Sequence, residues 1–189
     1  MVAAGAWVSG PSTLMSVLGL SQNEVINCRA ARWALDPLAR HGIGAAMLVE
    51  LAKEIGVTID DPGACTVRVE VEQPNSRADI VISGGGSVIV IEAKVNAVEG
   101  HRQAERLEGD WPEADCLVFL TRERRSTLGE LLVPKTAADP DRWRWLTWRW
   151  IAETVERFLA VSPPYEQEKT LEARQALSAW ARSVGRSIS

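Results

Sequence analysis

The stretch Arg77–Arg106, RADIVISGGGSVIVIEAKVNAVEGHRQAER, decides the fold. Arg77 to Ile82 and Ser87 to Ile91 are runs rich in β-branched residues. Gly84, Gly85 and Gly86 between them permit the positive φ values that a tight reversal needs. A hairpin is expected. Val88 to Ile91 is unbroken apolar, as in a strand covered on both faces, and burial is expected to stop where it meets Glu92, Ala93 and Lys94. Side chains alternate across a strand, so Glu92 and Lys94 share a face. Folding about the glycines brings Asp79 beside them, and two carboxylates and an ammonium meet at one margin of the sheet.

Adjacent carboxylates disfavour each other's ionisation unless a cation lies between them. Oxygen-only ligands suit Mg2+, with Mn2+ as its substitute. An ammonium beside the attacking water can orient or deprotonate it and can stabilise charge growing on a phosphate. The chemistry implied is phosphodiester hydrolysis. The plainer alternative is a solvated strand end with no chemistry.

Asp79, then Glu92-Ala93-Lys94 on the next strand, then Gln103 on the following helix, resembles the PD-(D/E)XK nuclease superfamily, whose fold is called restriction-endonuclease-like. Ala78 stands where that family usually has proline before the first acid. Asn23-Glu24, Arg32-Trp33-Ala34-Leu35-Asp36-Pro37 and His41-Gly42-Ile43-Gly44 resemble, in order and spacing, the opening of one bacterial branch of the superfamily. The resemblance covers residues 23 to 158. It implies an α/β fold: a restriction-endonuclease-like core with a mixed sheet of four to five strands, flanked by helices. It implies a catalytic set of Asp79, Glu92, Lys94, Gln103 and Glu24, with Asp79, Glu92 and Ala93 at the metal-holding positions and Gln103 contacting the scissile region or orienting water. The substrate implied is nucleic acid, expected to be DNA, in a setting of bacterial or phage defence or of DNA repair. A second hypothesis keeps the fold without the chemistry, as a nucleic-acid-binding or protein-interaction module.

Upstream, a helix is expected from Ser21, which can cap it with Glu24 three residues on as in a capping box, and Val25, Ala31 and Leu35 recur on one side. Glu24 thus has two open roles, cap or site acid. Ile43 to Ile55 reads as an amphipathic helix stopped by Gly56, and His41 reads as a turn residue, because no second histidine lies at ligand spacing. Thr66 to Glu72 alternates strictly and is expected to be the first strand. Glu70 and Glu72 on its polar side are either solvent-facing or extra acids at the metal.

Downstream, Asn96 to Glu108 is expected to be a helix, with His101 a proton shuttle at most, and Cys116 to Leu120 a covered strand. Arg102, Arg106, Arg122, Arg124 and Arg125 are the candidate contacts to a phosphate backbone, against the alternative of solvated surface. RWRWLTWRW, residues 142–150, interleaves arginine and tryptophan. Core packing is favoured there over base stacking, with Thr147 capping the next helix. Ser162-Pro163-Pro164 ends that helix, and Glu166 to Val184 is a last amphipathic helix with Leu171, Leu177 and Trp180 on its apolar side. The organisation expected is a tail and short helix over residues 1–20, a domain over 21–160, and a helix over 161–189 that packs on the domain or on a partner, whether a homodimer or a larger defence or repair complex.

The length of 189 residues suits a single domain with a substantial core. A net charge of -4 argues against coating nucleic acid by bulk electrostatics. Three scattered cysteines with no CxxC pair point to a reducing, cytoplasmic setting without zinc. Met1 to Leu20 is uncharged, but it lacks a basic n-region and is broken by Gly10-Pro11, so neither export nor a membrane role is expected.

Overall fold

The computed structural model describes residues 13–95, 102–122, 134–161 and 164–186. Helices α1 (Leu14–Val17), α2 (Glu24–Leu35) and α3 (Gly44–Ile55) precede strands β1 (Thr66–Glu72), β2 (Arg77–Gly84) and β3 (Ser87–Ala93). There follow α4 (Gln103–Asp110), β4 (Cys116–Thr121), β5 (Trp143–Thr147), α5 (Trp148–Val161) and α6 (Pro164–Arg186). The five strands form one mixed sheet in the order β1-β2-β3-β4-β5, antiparallel through β3 and parallel from β3 to β5. The architecture is α/β, a five-stranded mixed sheet flanked by helices.

Each face of the sheet has its own core. One face, carrying Ile80, Ile82, Ile89, Ile91 and Val118, packs under α2, α3, α5 and α6, while the other, with Val81, Val90, Leu117 and Phe119, packs under Ala104 and Leu107 of α4 and under Trp111. Ile89, Val90 and Ile91 are all buried, as expected of a strand covered on both sides. Burial does not stop at Ile91. Glu92 is 2% exposed because α4 closes over it, and Ala93, on the other face, is fully buried in the first core.

The hairpin turns through Gly85 and Gly86, with φ of +57° and +84°. A Cβ on Gly85 would stand 2.5 Å from the Asp61 carbonyl oxygen, so both conformation and space demand glycine there.

At the N-terminal end of the domain, the cap differs from the capping box expected at Ser21. Asn23 caps α2 by accepting from the Ile26 N–H at 3.0 Å, and Ser21 instead offers its carbonyl to the Asn27 side chain. Glu24 is therefore the first helical residue and its carboxylate is released from capping. Val25 faces outward, and Asn27, Cys28, Ala31, Ala34 and Leu35 form the buried side.

The Trp33–Gly44 segment is held by packing. His41 is buried with its Nε2 2.6 Å from the Trp33 carbonyl, its Nδ1 accepts from the Ile43 N–H, and its ring meets Trp33 edge-on. Burial pulls its pKa down. A Cβ on Gly44 would sit 1.9 Å from the Asp36 carbonyl oxygen, so α3 can start against the Asp36-Pro37 turn only with glycine there.

The tryptophans divide as their rings pack. Trp143 and Trp148 are buried, Trp150 is packed against the first core, and Thr147 caps α5 by accepting from the Trp150 N–H. On α6, Leu177 and Trp180 are buried against the domain. Leu171 lies off that side and is 51% exposed. Trp180 donates to Asn27, and Arg174 donates to the carbonyls of His41 and Leu159. Cys28, Cys65 and Cys116 are buried free thiols. No helix among the described residues is long and apolar enough to cross a membrane.

Candidate functional site

The hairpin register, with Ile80 opposite Ile91, carries Asp79 to the level of Glu92 at the open end of the hairpin. There the structure brings together Asp79 from β2, Glu92 from β3, Lys94 just beyond it, Glu24 from the first turn of α2 and Gln103 from the first turn of α4. Lys94 forms an ion pair with Glu92 Oε1 and lies 3.9 Å from Glu24 Oε1. Gln103 Nε2 donates to the same Glu92 oxygen at 2.6 Å. The other oxygen, Glu92 Oε2, is buried without a hydrogen-bond partner.

The backbone that carries these groups is pinned from four directions. The Ala93 N–H donates to Asp79 Oδ2 at 2.8 Å, the Lys94 N–H to the Leu120 carbonyl of β4 at 2.8 Å, and the Val95 N–H to Glu24 Oε2 at 3.0 Å. The Trp148 indole N–H donates to the Lys94 carbonyl at 3.1 Å. The donor and acceptor of one strand residue point to the same side. The Ala93 carbonyl therefore faces β2 and Asp79, while Glu92 and Lys94 serve β4.

Burial and like charge set the electrostatics. Desolvation first, and Asp79 second, push the Glu92 carboxyl up to about 8, against the pull of Lys94. Burial also raises Asp79, opposed by the Ala93 N–H and by Lys94. Burial alone would lower the Lys94 ammonium, but Glu92, Glu24 and Asp79 together outweigh it and raise its pKa. The site thus holds more negative charge than its one amine balances. An oxygen-lined place with an orphaned, buried carboxylate oxygen is one that a hard cation fits. Among the described residues, no group of three or more His, Cys, Asp or Glu side chains is placed to hold a metal ion.

Glu24, Asp79, Lys94, Gln103 and Arg106 line an open cleft of about 560 Å³, whose lining also includes Glu72, Arg77 and, from the turn between β1 and β2, Gln73, Asn75 and Ser76. Asp110 of α4 fixes that turn, accepting from the Asn75 N–H and side-chain amide and from the Ser76 hydroxyl.

Of the arginines proposed for phosphate contact, Arg106 lines the cleft, whereas Arg102 is engaged with Glu105 on its own helix and Arg122 follows β4 away from the lining. Arg124, Arg125 and His101 lie outside the described residues. Glu72 borders the cleft, and Glu70 is instead paired with Arg29 and Arg77. Arg77, Asn75 and Ser76 carried no distinguishing signal in the sequence, being common turn-flanking residues. Trp148 was legible as core, but its polar edge was not.

No protein-family model matches the chain, and neither the curated proteins nor the solved structures contain a significant match to it.

Proposed function

We propose that this chain is a magnesium-dependent nuclease of the PD-(D/E)XK type, with a restriction-endonuclease-like fold, that hydrolyses phosphodiester bonds of DNA in the bacterial cytoplasm, in defence or repair. The observation that carries the reading is Glu92: a buried carboxylate with one oxygen held by Lys94 and Gln103 and the other unpartnered, facing a second carboxylate across a hairpin. A structural role alone would not leave that oxygen orphaned in a site this polar.

In this reading Asp79, Glu92 and the Ala93 carbonyl would hold Mg2+, with Mn2+ as substitute. When bound, the ion supplies Lewis-acid charge for activating water and neutralising the phosphate. Lys94, kept protonated by its three acidic neighbours, orients the attacking water and donates to a phosphate oxygen as charge builds there. Gln103 orients Glu92 by donating to one of its oxygens, which would leave the other for a metal ligand role, and Glu24 steadies both Lys94 and the Val95 backbone. Water oxygen bonds to phosphorus and gives up one proton to solvent, the bond to the leaving deoxyribose oxygen breaks, and that oxygen takes up a proton from solvent. Arg106 at the cleft mouth receives the substrate backbone.

The direct pairing of Lys94 with Glu92 favours one competing reading, a self-neutralised cluster in a module that binds without cutting. Plasmid and single-stranded DNA incubated with and without Mg2+ separate the two. Cleavage that needs Mg2+ and disappears in Lys94→Ala supports the nuclease, and metal-independent binding with no cleavage by the wild-type protein rejects it.

A further inference from the structure

Glu70 is a non-glycine residue at φ +51°, in the left-handed region that a side chain ordinarily avoids in a strand. The β1–β2 register runs from Val69 opposite Ile80 to Val71 opposite Ala78, and neither ladder of β2 includes Asp79. The register sum is the same on both sides of the gap, so no residue is inserted. What changes is the face. Val69 packs against the first core and Val71 against the second, although strand alternation would put them together; Ile80 and Ala78 part in the same way. Both strands therefore rotate at one level, the level of Glu70 and Asp79.

We infer that Glu70 is a positioning residue for Asp79. Its left-handed backbone keeps the 70–79 pair from forming, and Asp79, released from the ladder, turns its carboxylate toward the Ala93 N–H and the mouth of the cleft. The Glu70 side chain, outside the backbone effect, pairs with Arg29 of α2 at 3.2 Å and with Arg77 of β2 at 3.7 Å. The kink thus sets the distance between the two carboxylates that the nuclease reading assigns to the metal, and the inference rests on that reading for its metal-binding consequence only.

The test compares Glu70→Val, which favours a regular strand, with Glu70→Asn, which tolerates the left-handed conformation, and with Arg29→Ala, which removes one ion pair and leaves the backbone alone. Ala93 amide exchange followed by NMR reads the Asp79 contact without metal, and Mn2+ titration of the same proteins reads affinity. Glu70→Val is expected to speed Ala93 exchange and to weaken Mn2+ binding, each by about tenfold or more, while Glu70→Asn and Arg29→Ala stay within about threefold of wild type. Unchanged Ala93 protection in a folded Glu70→Val overturns the inference, as does an equal loss in Glu70→Asn. Absence of Mn2+ binding by the wild-type protein overturns the nuclease reading instead, and the exchange contrast still decides the role of Glu70.

Discussion

At the scale of single residues, the consequences follow from which oxygen is held and which is not. Glu92 has its carboxyl pushed up to about 8, so below that pH a proton and a cation compete for it. A metal that needs the carboxylate must displace the proton, and its affinity should rise about tenfold per pH unit toward 8 and level off above. Mn2+ titration at pH 6, 7, 8 and 9 measures this; an affinity flat across that range would remove Glu92 from the ligand set. The sign for stability runs the other way. Because the folded state holds the proton more tightly than the unfolded chain, Glu92 stabilises the metal-free fold at low pH, and that contribution is lost as pH rises through about 8. Lys94→Ala should lower cleavage by about 100-fold or more with little change in KM if, as proposed, the ammonium acts on charge that develops in the transition state. A rise in KM alone would make Lys94 a binding residue.

At the scale of elements, α4 and the hairpin enclose the cleft between them, and each is fixed by a small number of groups. Asp110 holds the turn before β2 with three hydrogen bonds, of which that from the Asn75 side chain is foremost in drawing its pKa down. Asp110→Ala should cost only about 1 kcal/mol in urea denaturation, the site being close to solvent, and should raise KM more than it lowers kcat. Gly85→Ala combines a positive φ with a close approach to the Asp61 carbonyl and should cost about 2 kcal/mol or more.

Much at this scale was legible in the sequence. Strict alternation gave Thr66–Glu72 as a strand, and three glycines between β-branched runs gave the hairpin. Other features were not, for physical reasons. Ser21 and Asn23 are both good caps two residues apart, and only the Glu24 contacts with Lys94 and Val95 show why the helix starts at the later one. The alternation at Glu70 looks perfect in letters and is broken in space, because periodicity reports side-chain type and not the sign of φ. Burial of Glu92 depends on how α4, the next element along the chain, folds back over β3, and the alternation of a strand does not report that packing.

At the scale of the whole molecule, α6 is part of the fold that supports the site. Leu177, Trp180, Ala181 and Val184 belong to the same core as Ile89 and Ile91, and Arg174 donates to the buried His41 carbonyl and to the Leu159 carbonyl. Leu171, read from the sequence as part of that side, is exposed, because six residues along a helix from Leu177 turn it off the face that Leu177, Ala181 and Val184 bury. Arg174→Met should therefore cost about 2 kcal/mol or more and lower the midpoint of a single unfolding transition followed by tryptophan fluorescence. Two separate transitions would mean that α6 is a detachable appendage.

The proposed nuclease needs the Asp79 and Glu92 carboxylates, level with each other at the open end of the hairpin, to hold one hard cation beside Lys94. Anomalous diffraction from crystals soaked in Mn2+ would locate that ion. A peak bounded by Asp79, Glu92 Oε2 and the Ala93 carbonyl, absent in Asp79→Asn, is the result expected. A map with no peak there, or with Mn2+ bound only elsewhere, would contradict it.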